Sequence, residues 1–130
     1  VYNEEANLAR FLEVTTGVLR NAVSQEEWDY ELILVNDGSA DQSRVILDDF
    51  AEKDEHCRVI HFSRNFGHEA AMIAGIDYAK GDFVVCMDAD LQNPPELLPF
   101  AIIPSATSMS DARPFKIMFF SSILPIIIPN

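Results

Sequence analysis

The sequence has 130 residues, of which 48% are hydrophobic, and a formal net charge of −12. This length allows one domain with a real core, and the apolar fraction is too low for a polytopic membrane protein. The acidity argues against a nucleic-acid partner, because duplexes are bound through their phosphates by basic surfaces.

The first element that the sequence predicts is the end of a strand at Val1 and Tyr2. Since the chain opens within a strand, we expect further residues to precede it. A helix then begins near Asn3 and continues to about Val23, with acidic residues in its first turn and apolar residues at helical spacing.

The next predicted elements are a buried strand and a second helix. Residues Glu31–Asn36 contain an uninterrupted apolar run, which is typical of a strand buried on both faces. Turn residues at positions 37–39 end this strand, and either Ser39 or Asp41 can cap the helix that follows.

Two further strands flank a third predicted helix. A strand at Arg58–Phe62 precedes a helix at His68–Ala79, and the last clear strand is Asp82–Met87. The helix has a side suited to close packing, formed by Ala71, Met72 and Gly75. Cys57 and Cys86 lie in or beside apolar runs, which predicts buried free thiols in a reducing cytosol.

Residues 101–130 have a different character from the rest of the chain and are predicted to be a divergent apolar tail of unknown role. The apolar run there is shorter than the roughly 20 residues of a transmembrane helix, and Pro125 interrupts it. It shows neither a helical stripe nor strand alternation. A buried strand, a membrane-interface segment and an aberrant or truncated end all stay open.

The alternation of strands and helices predicts an α/β sandwich with a largely parallel sheet. In such folds, ligands bind at the carboxyl ends of the strands. Polar breaks fall at three of these ends, around Tyr2-Asn3-Glu4, at residues 36–39 and at residues 88–90. Each break alone is explained by ordinary turn residues, but together on one edge they predict a pocket.

Asp88 and Asp90 are the candidate metal ligands. Their side chains follow a buried strand on the same side, because strand side chains alternate. Carboxylate oxygens with room for waters suit Mg²⁺ or Mn²⁺, and Gln92 could add a neutral oxygen. A metal held there would act as a Lewis acid toward a diphosphate leaving group.

Five other side chains have alternative interpretations. Asp37 could accept a hydrogen bond from the ring N–H of a uracil or guanine base, or form an Asx turn that caps the next helix. Tyr2 could pack on a base or ribose, or be a core residue. Arg64 could reach a phosphate or form a surface ion pair. His61, like His68, is interpreted as a structural or rim residue.

Three common motifs are absent from the sequence. It has no phosphate-binding Gly-x-x-x-x-Gly-Lys loop, no Gly-x-Gly-x-x-Gly after the first strand and no Gly-x-Ser-x-Gly elbow. These absences count against a P-loop NTPase, a dinucleotide oxidoreductase and a serine hydrolase.

Three stretches stand out in order and spacing: VYNEEANL, LILVNDGSADQS and VIHFSRNFGHEAAMIAGIDYAKGDFVVCMDADLQNPPELLP. Through them, residues 1 to 99 resemble the family 2 glycosyltransferases with the GT-A fold. The branch resembled contains dolichol-phosphate mannose synthases and undecaprenyl-phosphate sugar transferases. The resemblance implies a Rossmann-like three-layer α/β sandwich, incomplete here, with residues 1–100 as the N-terminal part of a nucleotide-sugar-binding glycosyltransferase domain.

The resemblance also implies an activity: transfer of a sugar, with inversion, from a UDP- or GDP-linked donor to a dolichyl or undecaprenyl phosphate. It implies a nucleotide pocket formed by Tyr2, Glu4, Asp37, Ala71 and Asp88. It implies that Mg²⁺ or Mn²⁺ is held by Asp88, Asp90 and Gln92. The acceptor phosphate is already anionic, so charge stabilisation of the departing diphosphate would be the larger catalytic contribution, and no catalytic residue is assigned.

The same resemblance implies a membrane-associated enzyme whose catalytic domain faces the cytoplasm, and it leaves a homo-oligomer open. Two departures matter: the family's first strand precedes Tyr2, and the residues after Pro99 do not align. Arg113 and Lys116 are therefore not assigned to the acceptor site. Two alternatives stay open, namely a truncated, catalytically inactive nucleotide-binding domain and an unrelated α/β nucleotide-binding module resembling nucleotidyltransferases.

Overall fold

The computed structural model describes residues 4–24, 29–81, 83–88 and 116–123. They form three helices, α1 (Glu4–Ser24), α2 (Ser43–Lys53) and α3 (His68–Asp77). They also form four strands, β1 (Asp29–Asn36), β2 (Cys57–His61), β3 (Phe83–Asp88) and β4 (Lys116–Ile123). The helices and strands predicted between residues 4 and 88 are all present, whereas the strand end predicted at Tyr2 lies outside the described residues.

The four strands form one sheet in the order β2-β1-β4-β3, and every neighbouring pair is parallel. The predicted α/β architecture with a parallel sheet is confirmed. Strand β4 comes last in the sequence but lies between β1 and β3, where Phe120 is in register with both Ile33 and Cys86. Residues 116–123 of the predicted tail form a strand, while the burial of that strand and the division at residue 100 stay predictions.

Strand β1 separates two apolar clusters because its side chains alternate between the faces of the sheet. Leu32 and Leu34 pack with α1 and α2 on one face, whereas Ile33 and Val35 pack with Ala71 of α3 on the other. The predicted three layers are therefore present, two helices on one face of the sheet and one on the other.

Helix α1 contributes an apolar stripe to the larger cluster. Its buried residues recur three or four positions apart, which places them on one face of the helix. They are Leu8, Phe11, Leu12, Thr15, Thr16 and Leu19. In the part of the chain that the structure describes, no helix combines the length and hydropathy needed to cross a membrane.

The two cysteines differ in exposure. Cys57 is buried, as predicted, and burial together with the charge of Asp54 raises the pKa of its thiol to about 12. Cys86 is exposed, so the prediction of a buried thiol is wrong there. Val84 lies on the same face of β3 and is 40% exposed. The apolar sequence of β3 did not reveal which of its faces is covered, because that depends on packing.

Candidate active site

The loops after β1 and β2 meet at the carboxyl edge of the sheet. The first loop leads to α2 and the second to α3, and these helices lie on opposite faces. In open α/β sheets, ligands bind in the crevice formed where adjacent strands lead to helices on opposite faces. We call the place where residues 37–42 meet residues 62–67 the crevice, and a pocket there stays a prediction.

Asp37 lies in this crevice and is fully buried. Its Oδ1 accepts a hydrogen bond from the backbone N–H of Phe66 at 2.7 Å, and its Oδ2 accepts one from Gly67 at 3.0 Å. Gly67 is the N-cap residue of α3, so the carboxylate also lies at the positive end of that helix dipole. The structure thus uses Asp37 to join the two loops.

The alternative in which Asp37 caps α2 is wrong, because its carboxylate faces α3 instead. Asp41 supports the start of α2, since its Oδ1 accepts a hydrogen bond from the backbone N–H of Ser43 at 3.0 Å. The N-cap residue of α2 is nevertheless Gln42, which makes no side-chain cap hydrogen bond, so neither Ser39 nor Asp41 is the N-cap that the sequence predicted.

Gly38 brings the two loops into contact. Its φ of +73° lies in the left-handed region, which residues with a side chain rarely adopt. A Cβ atom at this position would lie 2.3 Å from the carbonyl carbon of Arg64 and 2.5 Å from the backbone nitrogen of Asn65. Only glycine fits where the loop after β1 passes the loop after β2.

Asn36 connects the same edge to α2, a function that the sequence prediction missed. It is 2% exposed. Its Oδ1 accepts a hydrogen bond from the N–H of Ser39 at 3.0 Å, and its Nδ2 lies 3.1 Å from Nδ1 of His61. The Nε2 of His61 lies 2.7 Å from Oδ1 of Asp48 on α2. The sequence did indicate that Asn36 has hydrogen-bond partners, because it ends a buried apolar run and buried amides need partners.

Arg64 lies at the rim of the crevice. Its guanidinium carbon lies 4.0 Å from the centroid of the Phe66 ring, a cation–π contact. No ion pair of Arg64 occurs within the described ranges, so the ion-pair alternative finds no support there. Its predicted contact with a phosphate stays a prediction.

Ala71 lies one helical turn after Gly67, to whose carbonyl oxygen it donates a backbone hydrogen bond of 3.1 Å. It is fully buried against Ile33 and Val35. The small side chain lets α3 approach β1 closely, as the sequence predicted for this helix side. Its contact with a nucleotide stays a prediction.

Asp88 is the last residue of β3 and lies at the same edge of the sheet. It is in register with Ser122 of β4, which is in register with Val35 of β1. Because adjacent strands are about 4.8 Å apart, the backbones of β1 and β3 lie roughly 10 Å apart here. Asp88 thus ends β3 at the same edge of the sheet at which Asp37 follows β1.

Of the remaining predicted site residues, the structure describes only Glu4. Tyr2, Asp90 and Gln92 lie outside the described residues, and Glu4 is described as the first residue of α1. Within the described ranges, no group of three His, Cys, Asp or Glu side chains could hold a metal ion. The predicted metal ligands therefore stay a prediction.

A second buried aspartate, Asp54, lies at the opposite, amino-terminal edge of the sheet. Its carboxylate accepts hydrogen bonds from Arg20 at 2.9 Å and from the backbone N–H of His56 at 3.0 Å, and Nδ1 of His56 lies 3.2 Å away. Burial by itself raises the pKa of Asp54, but the hydrogen bonds from His56 and the charge of Arg20 outweigh it and lower that pKa. The His56 ring stacks on Tyr30 with centroids 4.5 Å apart.

Comparison with known proteins identifies the family. A family model described as glycosyl transferase family 2 matches residues 1–102. The chain is 47% identical over 98 residues to the uncharacterized glycosyltransferase YkcC of Bacillus subtilis (strain 168), a match that covers 75% of this chain and 29% of that protein.

A second relative is the undecaprenyl-phosphate 4-deoxy-4-formamido-L-arabinose transferase of Proteus mirabilis (strain HI4320), 47% identical over 100 residues, with 76% of this chain and 29% of that protein covered. The chain thus spans under a third of the length of these curated relatives. The predicted α/β fold of GT-A type agrees with the family model, which matches well over half of the sequence. The chain belongs to glycosyl transferase family 2.

Proposed function

We propose that this chain forms the donor-binding part of a glycosyltransferase that moves a sugar from a nucleotide diphosphate to a polyprenyl phosphate, with inversion. The observation that carries the proposal is the buried carboxylate of Asp37, which joins the two loops of the crevice at the carboxyl edge. The family supports the reaction class, and the relative from Proteus mirabilis is named an undecaprenyl-phosphate sugar transferase.

The nucleotide would bind around Asp37, with Tyr2, Glu4, Ala71 and Asp88 completing the pocket. Each carboxylate oxygen has two lone pairs and uses one for a backbone N–H. Asp37 therefore retains acceptor capacity for the ring N–H of uracil or guanine. Since Asp37 is fully buried, the base would reach it as the loop after β1 separates from the loop after β2.

The diphosphate would lie toward β3, where Asp88, Asp90 and Gln92 would hold Mg²⁺ or Mn²⁺. Two carboxylates and an amide oxygen fit the hard-oxygen preference of these ions. When bound, the cation supplies charge stabilisation to the departing diphosphate. The net charge of −12 favours this arrangement, because an anionic donor approaches an acidic protein more readily with a cation.

The acceptor would be a dolichyl or undecaprenyl phosphate at the cytoplasmic face of a membrane. Its phosphate oxygen is anionic before the reaction, so the chain needs to orient this nucleophile rather than deprotonate it. For that reason no general base is assigned among the described residues.

Calorimetry with UDP and with GDP, each with and without MnCl₂, tests the donor site. We expect one nucleotide to bind in a Mn²⁺-dependent way, and Asp88→Asn to weaken that binding at least about tenfold, as loss of one charge-assisted contact implies. The matched control is Asp49→Asn, because Asp49 is exposed on α2. The proposal fails if neither nucleotide binds, or if Asp88→Asn leaves the Mn²⁺ dependence unchanged.

A catalytically inactive nucleotide-binding domain is the second candidate. It is favoured by the end of the family match at residue 102, before β4. An assay that follows radiolabelled sugar from a UDP- or GDP-sugar to undecaprenyl phosphate separates the two. Nucleotide binding without transfer supports the inactive domain, and transfer excludes it.

A further inference from the structure

Two consecutive buried polar residues, Asn36 at the end of β1 and Asp37 directly after it, face opposite sides of the sheet. Asp37 faces α3, where it binds the backbone of Phe66 and Gly67. Asn36 faces α2 through His61 and Asp48. Asp37 belongs to the proposed nucleotide pocket, whereas Asn36 and His61 are not among the residues that would contact the nucleotide.

The hydrogen bond from Ser39 sets the orientation of the Asn36 side chain. The backbone N–H of Ser39 can only donate, so the atom of Asn36 that faces it at 3.0 Å is the carbonyl Oδ1. The amide nitrogen then faces Nδ1 of His61 at 3.1 Å. Turning the amide over would place two donors opposite each other at Ser39.

The orientation of Asn36 in turn sets the tautomer of His61. Since the Asn36 amide donates, Nδ1 of His61 must accept and carry no proton. The ring proton is therefore on Nε2, which donates to Oδ1 of Asp48 at 2.7 Å. The carboxylate of Asp48 favours this tautomer because it accepts the hydrogen bond from Nε2–H.

Loss of the acceptor at residue 61 would free the Asn36 side chain. Asn36 is 2% exposed, and a buried amide without its partner is costly. The amide would then rotate to find other partners and release the N–H of Ser39. Ser39 follows Asp37 and Gly38 in the loop after β1, so this loop would lose its hydrogen bond to Asn36.

We propose that His61 is a positioning residue for nucleotide binding: by accepting the hydrogen bond from Asn36 at Nδ1, it holds in place the loop at residues 37–39, which carries Asp37. The inference rests on the proposed donor site, and it adds a specific function for a side chain that does not touch the nucleotide.

Two substitutions of His61 separate its two hydrogen bonds. In His61→Asn, the amide oxygen can take the place of Nδ1 and accept from Asn36, but the contact with Asp48 is lost. In His61→Gln, the amide nitrogen can take the place of Nε2 and donate to Asp48, but the acceptor for Asn36 is lost. Each variant has an uncharged amide at this position, so each is the control for the other.

The first measurement is amide hydrogen exchange at Ser39 in the full chain. We expect exchange within about twofold of the unchanged protein in His61→Asn, and roughly tenfold faster exchange in His61→Gln, as the loss of one buried hydrogen bond implies. Equal exchange in the two variants would overturn the inference, and this outcome requires no nucleotide.

The second measurement is the Mn²⁺-dependent affinity for UDP and GDP. We expect His61→Asn to bind within about twofold of the unchanged protein and His61→Gln about tenfold more weakly. If the unchanged protein binds neither nucleotide, the proposed function and this inference both fail. If it binds one and both variants match it, only the inference fails.

Nitrogen chemical shifts of His61 in the unchanged protein provide a measurement that does not depend on any variant folding. In the neutral form of the ring, they should show the tautomer with the proton on Nε2 and none on Nδ1. A proton on Nδ1 would contradict the hydrogen bond from Asn36 and overturn the inference.

Discussion

Asp37 and Asp54 are both buried aspartates, but they lie at opposite edges of the sheet and differ in what balances their charge. Asp54 is held by Arg20 and by both the backbone and the ring of His56. Asp37 accepts only backbone N–H groups, and among the described residues no Lys, Arg or His pairs with it.

The difference separates a structural carboxylate from one suited to a ligand. Where cations already surround a carboxylate, its charge is compensated within the protein. Where backbone dipoles alone hold it, the charge stays available to a donor group on a ligand. The contrast therefore supports placing the nucleotide at the carboxyl edge rather than at Asp54.

The largest effect on stability is expected from Gly38→Ala, because a methyl group there would force apart the loops that enclose Asp37. Positive φ and a Cβ clash with the backbone at Arg64 should together lower the free energy of unfolding by about 3 kcal/mol or more. Urea denaturation measures the change.

Two other glycines are matched controls for Gly38. Gly67 shares a positive φ but has open space around its Cβ position, so Gly67→Ala should cost less. Gly17 lies inside α1 with nothing near it, so Gly17→Ala should stabilise by about 1 kcal/mol through helix propensity. Equal costs at Gly38 and Gly67 would show that the predicted clash is absent.

A smaller effect is expected from Asp37→Asn and Asp54→Asn, which sharpen the comparison directly. Each replaces an acceptor by a donor in a buried hydrogen-bonded group, which should lower the free energy of unfolding by about 1–3 kcal/mol. Only Asp37→Asn should also weaken UDP or GDP binding. Denaturation and calorimetry on both variants test this, and a loss of nucleotide affinity in Asp54→Asn would remove the distinction.

The smallest expected effect is the pH dependence that Asp54 contributes. Because its pKa is lowered in the folded protein, the unfolded chain binds more protons below about pH 3.9, the ordinary aspartate pKa. The contribution of Asp54 to stability is thus complete well above that pH and is lost as the pH falls through the lowered pKa.

Unfolding by urea at a series of pH values between neutral and acidic checks this dependence. In Asp54→Asn, the free energy of unfolding should fall less steeply with decreasing pH than in the unchanged protein. Asp49→Asn, on the exposed surface of α2, should retain most of that pH dependence. A pH dependence that is unchanged in Asp54→Asn would mean that other carboxylates account for it.

Local pattern was enough to predict the helices and strands between residues 4 and 88 and the polar residues at the strand ends. The alternation of apolar runs with helical stripes placed α1, α3 and three strands within one or two residues of their observed ends, whereas for α2 only its start was predicted. Turn residues at 37–39 marked the carboxyl end of β1. The partners of Asp37 could not be predicted, because they lie 29 and 30 residues further along the chain.

The sequence by itself determined the parallel α/β class, the family and the polar ends of the strands, because periodicity, turn chemistry and motif spacing are local properties. Only the tertiary structure decided that β4 lies between β1 and β3, that Cys86 is exposed and that Asn36 reaches Asp48 through His61. These features depend on strand order and on which faces of the sheet are covered. Both are set by contacts between distant segments, which no single stretch of sequence specifies.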